Sequence, residues 1–236
     1  MDWRDDALRH AQECQPRESC GLLVVVRGRL RYRACPNLAT DPDEHFVIDP
    51  RAWADAEDAG EIVAVVHSHP AGWPDASSAD RAGCESSGLP WHIVGLPSGA
   101  WCCITPTGYR APLLGREFRW GVHDCYSLIR DWYAEERGVV LPDFPRRAGD
   151  FEAGRDLYGE GFPRAGFVAV DGPPEVGDVL LFRVAARVPD HGAVYVGDDR
   201  ILHHMHGRLS SRDAWDGFWR ERTVRVLRYA NGQAVR

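Results

Sequence analysis

The chain has 236 residues, enough for one large domain or two ordinary ones, and its 44% hydrophobic and 27% charged residues are the composition of a water-soluble globular protein. No apolar run approaches the roughly 20 residues of a membrane helix, and the acidic start MDWRDDALRH lacks the basic and apolar regions of a secretory signal, so synthesis in the cytosol without a membrane span is expected. A formal net charge of −7 offers no bulk electrostatic footprint for nucleic acid, which is set aside as a partner.

An amphipathic helix is predicted near residues 5–15, followed by apolar strands at GLLVVV and RLRYRA and a helix after the Asp49-Pro50 start signal. The strand EIVAVVH, a helix from about Ser77 and two strands around WHIVGL and AWCCIT complete a mixed α/β first half. The stretch TPTGYRAPLLG has Pro106, Gly108, Pro112 and Gly115 without sustained periodicity and reads as a domain edge, giving domains 1–112 and 113–236. The second half opens with a helix at about Cys125 to Arg137, where Leu128, Ile129, Trp132 and Tyr133 form an apolar stripe. It passes through a Pro/Gly-rich stretch and ends in strands at DVLLFRV, HGAVYVG, ILHHMH and RTVRVLRY. The seven cysteines are odd in number and show no CxxC pair, so neither a zinc ribbon nor a disulfide framework is suggested.

The segment HSHPAGWPDASSAD, residues 67–80, carries the first candidate chemistry. If the strand continues through His69, then His67 and His69 project from one face. Ser77 and Asp80, three apart at a helix start, also share a face, and Asp80 is free to turn toward the imidazoles. Two histidines and a carboxylate are three ligands, and a catalytic zinc keeps three protein ligands and one open position. The plainer alternative is a polar strand-to-helix turn with Ser77 or Ser78 as N-cap, and capping is expected in either case. With Glu18 upstream in ESCGLL, the H-x-H, seven residues beginning with Pro, and S-x-x-D pattern resembles the JAMM (MPN-type) metalloproteases over about residues 1–110. The resemblance implies a cytidine-deaminase-like α/β domain with one zinc on His67, His69 and Asp80. It also implies Glu18 as the base toward water and Ser77 as an oxyanion stabiliser.

The second candidate is Cys125 in GVHDCYSLIRDWY, after Asp124 at a helix start. Free N–H groups and the helix dipole there are expected to lower the thiol pKa and favour a nucleophilic thiolate. Downstream, DHGAVYVGDDRILHH offers His191 as a base and His203 as an orienting partner, although helix-start cysteines and strand histidines are more often inert. An ideal hairpin over GDDR pairs Val196 with Ile201 and puts His204 on the face of His191, whereas a bulge would bring His203 there. The arrangement, with GDVLLF before the histidine, resembles the NlpC-type papain-like cysteine peptidases. That likeness implies a papain-like α+β domain with Cys125 as nucleophile, His191 as general base and acid, and His203 as third polar residue. Two departures stand out: Tyr126 and Ser127 follow the cysteine where most such peptidases have Ser-Gly, and REFRWGVHDC lacks the upstream tyrosine often linked to the oxyanion site.

Together the two halves, and especially GREFRWGVHDCYSLIRDWYAEERGVVLPDFPRR, resemble a family of tail-assembly proteins of lambda-like tailed phages and prophages. This implies a late tail protein, made in the host cytoplasm and carried in the tail or an assembly intermediate. Its C-terminal domain would cut peptidoglycan stem peptides, its N-terminal domain would process a tail partner, and other tail-tip proteins would be its partners. Trp73 and Trp120, beside the two candidate sites, are candidates to line substrate grooves. Two other readings stay open: a structural or chaperone component acting by binding, and an amidase or acyltransferase using the same cysteine.

Overall fold

The computed structural model describes residues 2–146 and 148–230, which fall in two compact units, 1–110 and 111–236. The first unit begins with α1 (Trp3–Cys14), whose first turn is capped by the Asp2 carboxylate accepting from Arg4 N–H. It continues through β1 (Cys20–Val26), β2 (Arg29–Cys35), α2 (Pro50–Ala59), β3 (Glu61–His69), α3 (Ser78–Ser87), β4 (Trp91–Gly95) and β5 (Ala100–Ile104). The sheet order is β2-β1-β3-β4-β5. Only β3 and β4 run parallel, as the intervening helix α3 permits.

Both faces of this sheet are covered. Leu23, Ala64 and Val66 pack with Ala7 of α1 on one side, while Leu22, Val24 and Val65 pack with Ala56 of α2 and Cys84 of α3 on the other. A strand buried on both faces is apolar throughout, which is why GLLVVV shows no alternation. At the β1–β2 turn, Arg27 and Gly28 both take positive φ, 50° and 74°, the two-residue geometry that matches strand twist.

In the second unit α4 (Cys125–Arg137) is followed by α5 (Ala148–Glu152), α6 (Leu157–Arg164), β6 (Phe167–Val170), β7 (Val179–Phe182), β8 (His191–Gly197), β9 (Arg200–His203), β10 (Ser211–Ala214), α7 (Gly217–Arg222) and β11 (Thr223–Tyr229). Its antiparallel sheet has the order β10-β9-β8-β7-β11-β6. Leu128, Ile129 and Trp132 of α4 pack on Val179, Leu181, Val194 and Leu202. Gly192 lets α4 approach β8, since a Cβ there would stand 3.1 Å from Ile129 Cδ1. On the opposite face Leu180, Phe182, Ala193 and Ile201 pack with Trp219 of α7.

The β8–β9 hairpin has the bulged register. Asp198 and Asp199, both at φ 50°, form the turn and Gly197 sits at φ 89°. The turn closes on Gly197 and Arg200, the register shifts between Tyr195 and Gly197, and Ala193 then pairs with His203. Alternation from Ala193 puts His191 and His203 on one face.

Candidate active sites

In the first unit, β3 carries His67 and His69 on one side of the strand, with Cys20 of β1 opposite His67. Ser68 N–H donates to the Ser19 carbonyl at 3.1 Å, which extends that pairing and brings the buried Glu18 to the level of His69. Asp80 closes the group from the first turn of α3. His67 Nε2 lies 3.3 Å from His69 Nε2 and 3.1 Å from Asp80 Oδ1, and His69 Nε2 lies 3.4 Å from Asp80 Oδ2.

These separations, in which the two histidines face different oxygens of the Asp80 carboxylate, are compatible with a tetrahedral metal. With bonds of 2.0–2.1 Å, the edge between two ligands is about 3.3 Å. The tautomer also fits: His69 Nδ1–H donates to the Trp73 carbonyl at 2.9 Å, so the Nε2 of the neutral ring carries a lone pair. His67 is fully buried, its ring 4.7 Å from that of Phe46 and 5.5 Å from that of Trp91. The donor set could hold a metal ion.

Asp80 is fixed by a capping box. Ser77 N–H donates to Asp80 Oδ2 at 2.8 Å, and Asp80 N–H donates to Ser77 Oγ at 3.1 Å. Burial opposes ionisation of Asp80, but His67, with hydrogen bonds from His67, His69 and Ser77, holds the carboxyl well below the usual range. Burial likewise lowers the His69 pKa. The hydrogen bonds to Asp80 and Trp73 and the nearby Asp80 and Glu18 charges outweigh it, and the net shift is upward. Trp73 itself is 70% exposed.

In the second unit Asp124 is the N-cap of α4, accepting from Ser127 N–H at 2.8 Å and Ser127 Oγ at 2.9 Å. Its carboxylate is fully buried against Arg146, which donates from Nε at 2.7 Å and from Nη2 at 2.9 Å. The fork holds the start of the helix, and Cys125 is its first residue. Cys125 Sγ lies 2.9 Å from Tyr158 Oη of α6, and Gly192 N–H also reaches it.

The expected thiolate is not what this environment favours. Burial and the adjacent Asp124 charge push the Cys125 thiol up to about 11, against the smaller opposing effects of Tyr158, Gly192 N–H and Arg146. The dipole at the start of α4 does not offset the loss of water. His191 is shifted well below its ordinary value, first by burial and then by His203 and His204. Both shifts favour the uncharged forms, thiol and imidazole, over a thiolate–imidazolium pair.

His191 Nε2 is 3.1 Å from His203 Nδ1, and His203 Nε2 is 3.1 Å from Asp213 Oδ2 on β10. The Asp213 carboxylate, close to Nε2 but out of hydrogen-bond alignment with it, favours the His203 tautomer protonated on Nε2, whose Nδ1 accepts from His191 Nε2–H. This leaves the lone pair of His191 on Nδ1. Trp219 covers the pair, with ring centroids 5.5 Å from His191 and 4.7 Å from His203. No hydrogen bond joins Cys125 to His191 among the described residues; Gly192, next in sequence to His191, makes the approach.

His204, the alternative orienting residue, packs its ring 5.1 Å from that of Phe118. Trp120 is half-buried beside Phe118, at 5.0 Å. Three functional candidates went unread in the sequence: Tyr158, Arg146 and Asp213. Each lies in a stretch without apolar periodicity, and only the fold brings it to the site.

Comparison with known proteins agrees with this division. A family model described as prokaryotic homologs of the JAB domain matches residues 2–110, and the NlpC/P60 family matches residues 115–228. The tail tip assembly protein K of Escherichia phage N15 is 37% identical over 95% of this chain and 93% of its own length. The protein of the same name from Escherichia phage lambda is 40% identical over 77% of this chain and 89% of its own. Among solved structures, a JAB1/MPN domain protein from Archaeoglobus fulgidus covers 46% of this chain and 87% of its own, at 20% identity and a TM-score of 0.31. No helix among the described residues is long and apolar enough to cross a membrane. The chain belongs to the family of phage tail tip assembly protein K, with a JAB-like domain followed by an NlpC/P60 domain.

Proposed function

We propose that this chain is a two-site hydrolase of phage tail assembly, made in the host cytoplasm and working with other tail-tip proteins. Its first unit cleaves a peptide or isopeptide bond at a zinc site on His67, His69 and Asp80, and its second cleaves peptidoglycan stem-peptide amides with Cys125. The convergence of two imidazole Nε2 atoms and the Asp80 carboxylate, with contacts of 3.1–3.4 Å, is the observation that carries the first site. Two imidazoles and one carboxylate suit zinc and leave one position open. A bound divalent ion would polarise the scissile carbonyl and acidify a water. The chain's own residues supply the rest. Glu18, at the level of His69, accepts the proton of the attacking water and returns it to the leaving amine. Ser77 Oγ already accepts from Asp80 N–H, so its own proton is available to a developing oxyanion.

In the second site the thiol starts protonated, so proton transfer to His191 Nδ1 accompanies attack of sulfur on the amide carbon. His203 and Asp213 hold the tautomer that makes Nδ1 the base, and Tyr158 donates to the sulfur as charge builds. His191 then returns the proton to the departing amine as the C–N bond breaks, leaving a thioester at Cys125. Water, deprotonated by His191, hydrolyses it and restores the thiol. The gap between Cys125 and His191 closes as substrate enters, since catalytic hydrogen bonds are often long in free enzymes.

A second reading, a tail component that acts by binding, is favoured by the near-complete burial of Cys125 and His191, 2% and 4% exposed. Incubation of the purified full chain with peptidoglycan, with and without a chelator and beside Cys125→Ala, separates the two. Digestion that disappears only in the cysteine variant supports the thiol peptidase, and no digestion under any condition supports the binding component. Mass analysis of the released fragments distinguishes hydrolysis from acyl transfer.

A further inference from the structure

Strand β2 reads RLRYRAC, and with the turn residue before it the chain places Arg27, Arg29, Arg31 and Arg33 at every second position. The four line one groove of about 560 Å³ beside Val26. The strand is the outer member of its sheet, and among the described residues no strand pairs with its free edge. Arg116, Arg146 and Arg228, by contrast, each sit beside a carboxylate. Among the described residues no carboxylate lies in ion-pair distance of Arg27, Arg29, Arg31 or Arg33, in a chain whose acidic residues outnumber its lysines and arginines. Arg27 also holds a left-handed conformation at φ 50°, at a turn position where Asn, Asp or Gly would sit more easily. Its side chain extends the basic row by one member.

We propose that this groove docks an extended acidic segment of a partner polypeptide, with carboxylates at every second residue, added as a strand to the free edge of β2. Residues two apart on a strand are about 6.7 Å apart, so a partner strand in register presents one carboxylate to each guanidinium fork. The open backbone edge supplies main-chain hydrogen bonds to the same segment. A nucleic-acid backbone has a similar charge spacing but fits less well. The one aromatic ring of β2, Tyr32, points to the other face, where its hydroxyl lies 2.8 Å from His10 Nδ1, so β2 itself offers bases no stacking ring beside its arginines. The row also points somewhere. Cys35, Cys20 and His67 stand directly opposite one another on β2, β1 and β3, so the arginines share the sheet face of His67 and end near its level. That a docked segment feeds the zinc site rests on the function proposed above, whereas docking itself does not.

The test is fluorescence anisotropy with the full chain and a labelled twelve-residue peptide alternating Glu with Thr. Competitors are the same composition with its glutamates grouped together, and oligo-dT of equal charge. The alternating peptide should bind at low salt, weaken about tenfold in Arg29→Ala/Arg31→Ala, and bind unchanged in Arg155→Ala, an exposed arginine of the other unit. Both arginines are exposed, so the double variant should keep the wild-type circular dichroism. Binding by His69→Ala should match wild type while its metal content falls, which keeps docking and the zinc site separately readable. Equal binding by the double variant, or no binding by wild type, would overturn the proposal. A grouped-glutamate peptide that binds as well would remove the register argument, and tighter binding of oligo-dT would assign the groove to nucleic acid.

Discussion

Replacing Arg146 with Met should unfold the second unit early while leaving the first alone. The Asp124 carboxylate has no exposed surface and takes two of its hydrogen bonds from Arg146, at 2.7 and 2.9 Å. Breaking a buried pair by removing one partner costs about 3–5 kcal/mol. Three donors would remain, Ser127 N–H, Ser127 Oγ and Gly121 N–H, which places the loss near the lower end, about 3 kcal/mol. For a unit of this size that is a fall of roughly 10 °C in midpoint. Scanning calorimetry of the full chain at pH 7 should show one transition moving and the other fixed. The pH dependence follows from the sign of the shift. Burial raises the Asp124 pKa but Arg146 more than reverses it, so the folded value is depressed. Its stabilisation is therefore present above the unfolded pKa, about 3.9, and is lost as pH falls through the folded value. The gap between wild type and variant should narrow below about pH 4. A shift under about 2 °C at pH 7, or equal movement of both transitions, would refute the reasoning.

Gly95→Ala should weaken metal binding without touching a ligand, because its Cβ would lie 2.6 Å from the Gly72 carbonyl and 2.8 Å from Pro74 N, displacing the loop whose Trp73 carbonyl orients His69. Chelator competition reads this, and Gly72→Ala, with its nearest contact at 4.0 Å, is the silent control. A small alkylating reagent at pH 7.5 should label the exposed Cys103 before the buried Cys125. The pH midpoint for Cys125 should move upward in Tyr158→Phe, which removes a hydrogen bond that lowers its pKa; peptide mapping that finds Cys125 fastest, or a downward move, contradicts the neutral-thiol site. Asp213→Asn should reduce wall-peptide hydrolysis at least about tenfold, by releasing the His203 tautomer, with the thermal midpoint little changed. Unaltered turnover would remove Asp213 from the site.

The parts of the fold that were legible in sequence are those with a strong local period. The apolar stripe of α4 marked a helix over Cys125–Arg137, and EIVAVVH marked β3, from which the shared face of His67 and His69 follows by alternation. Elements without such a period were missed. Strand β10, SRDA, is a polar edge strand, and α6 contains Gly159, Gly161 and Pro163, which argue against a helix although it carries Tyr158. The hairpin register turned on Gly197, whose positive φ accommodates the bulge that ideal alternation omits. The thiol pKa is not legible in sequence for a different reason: a helix start can be recognised from Asp124, but its burial and its ion pair with Arg146 depend on contacts 22 residues apart. The basic row on β2 was visible as a spacing in RGRLRYRAC, yet the net charge of the whole chain concealed it.

The most direct test of the first site is the metal content of the purified full chain, measured by plasma mass spectrometry beside Asp80→Asn. Asp80→Asn keeps a side-chain oxygen for the α3 cap while removing the charged ligand, so folding and coordination are separated. The expected result is about one zinc per chain in wild type and little in the variant, with equal helix content. A metal-free wild type, or the same zinc content in both proteins, would contradict a metal centre built on His67, His69 and Asp80.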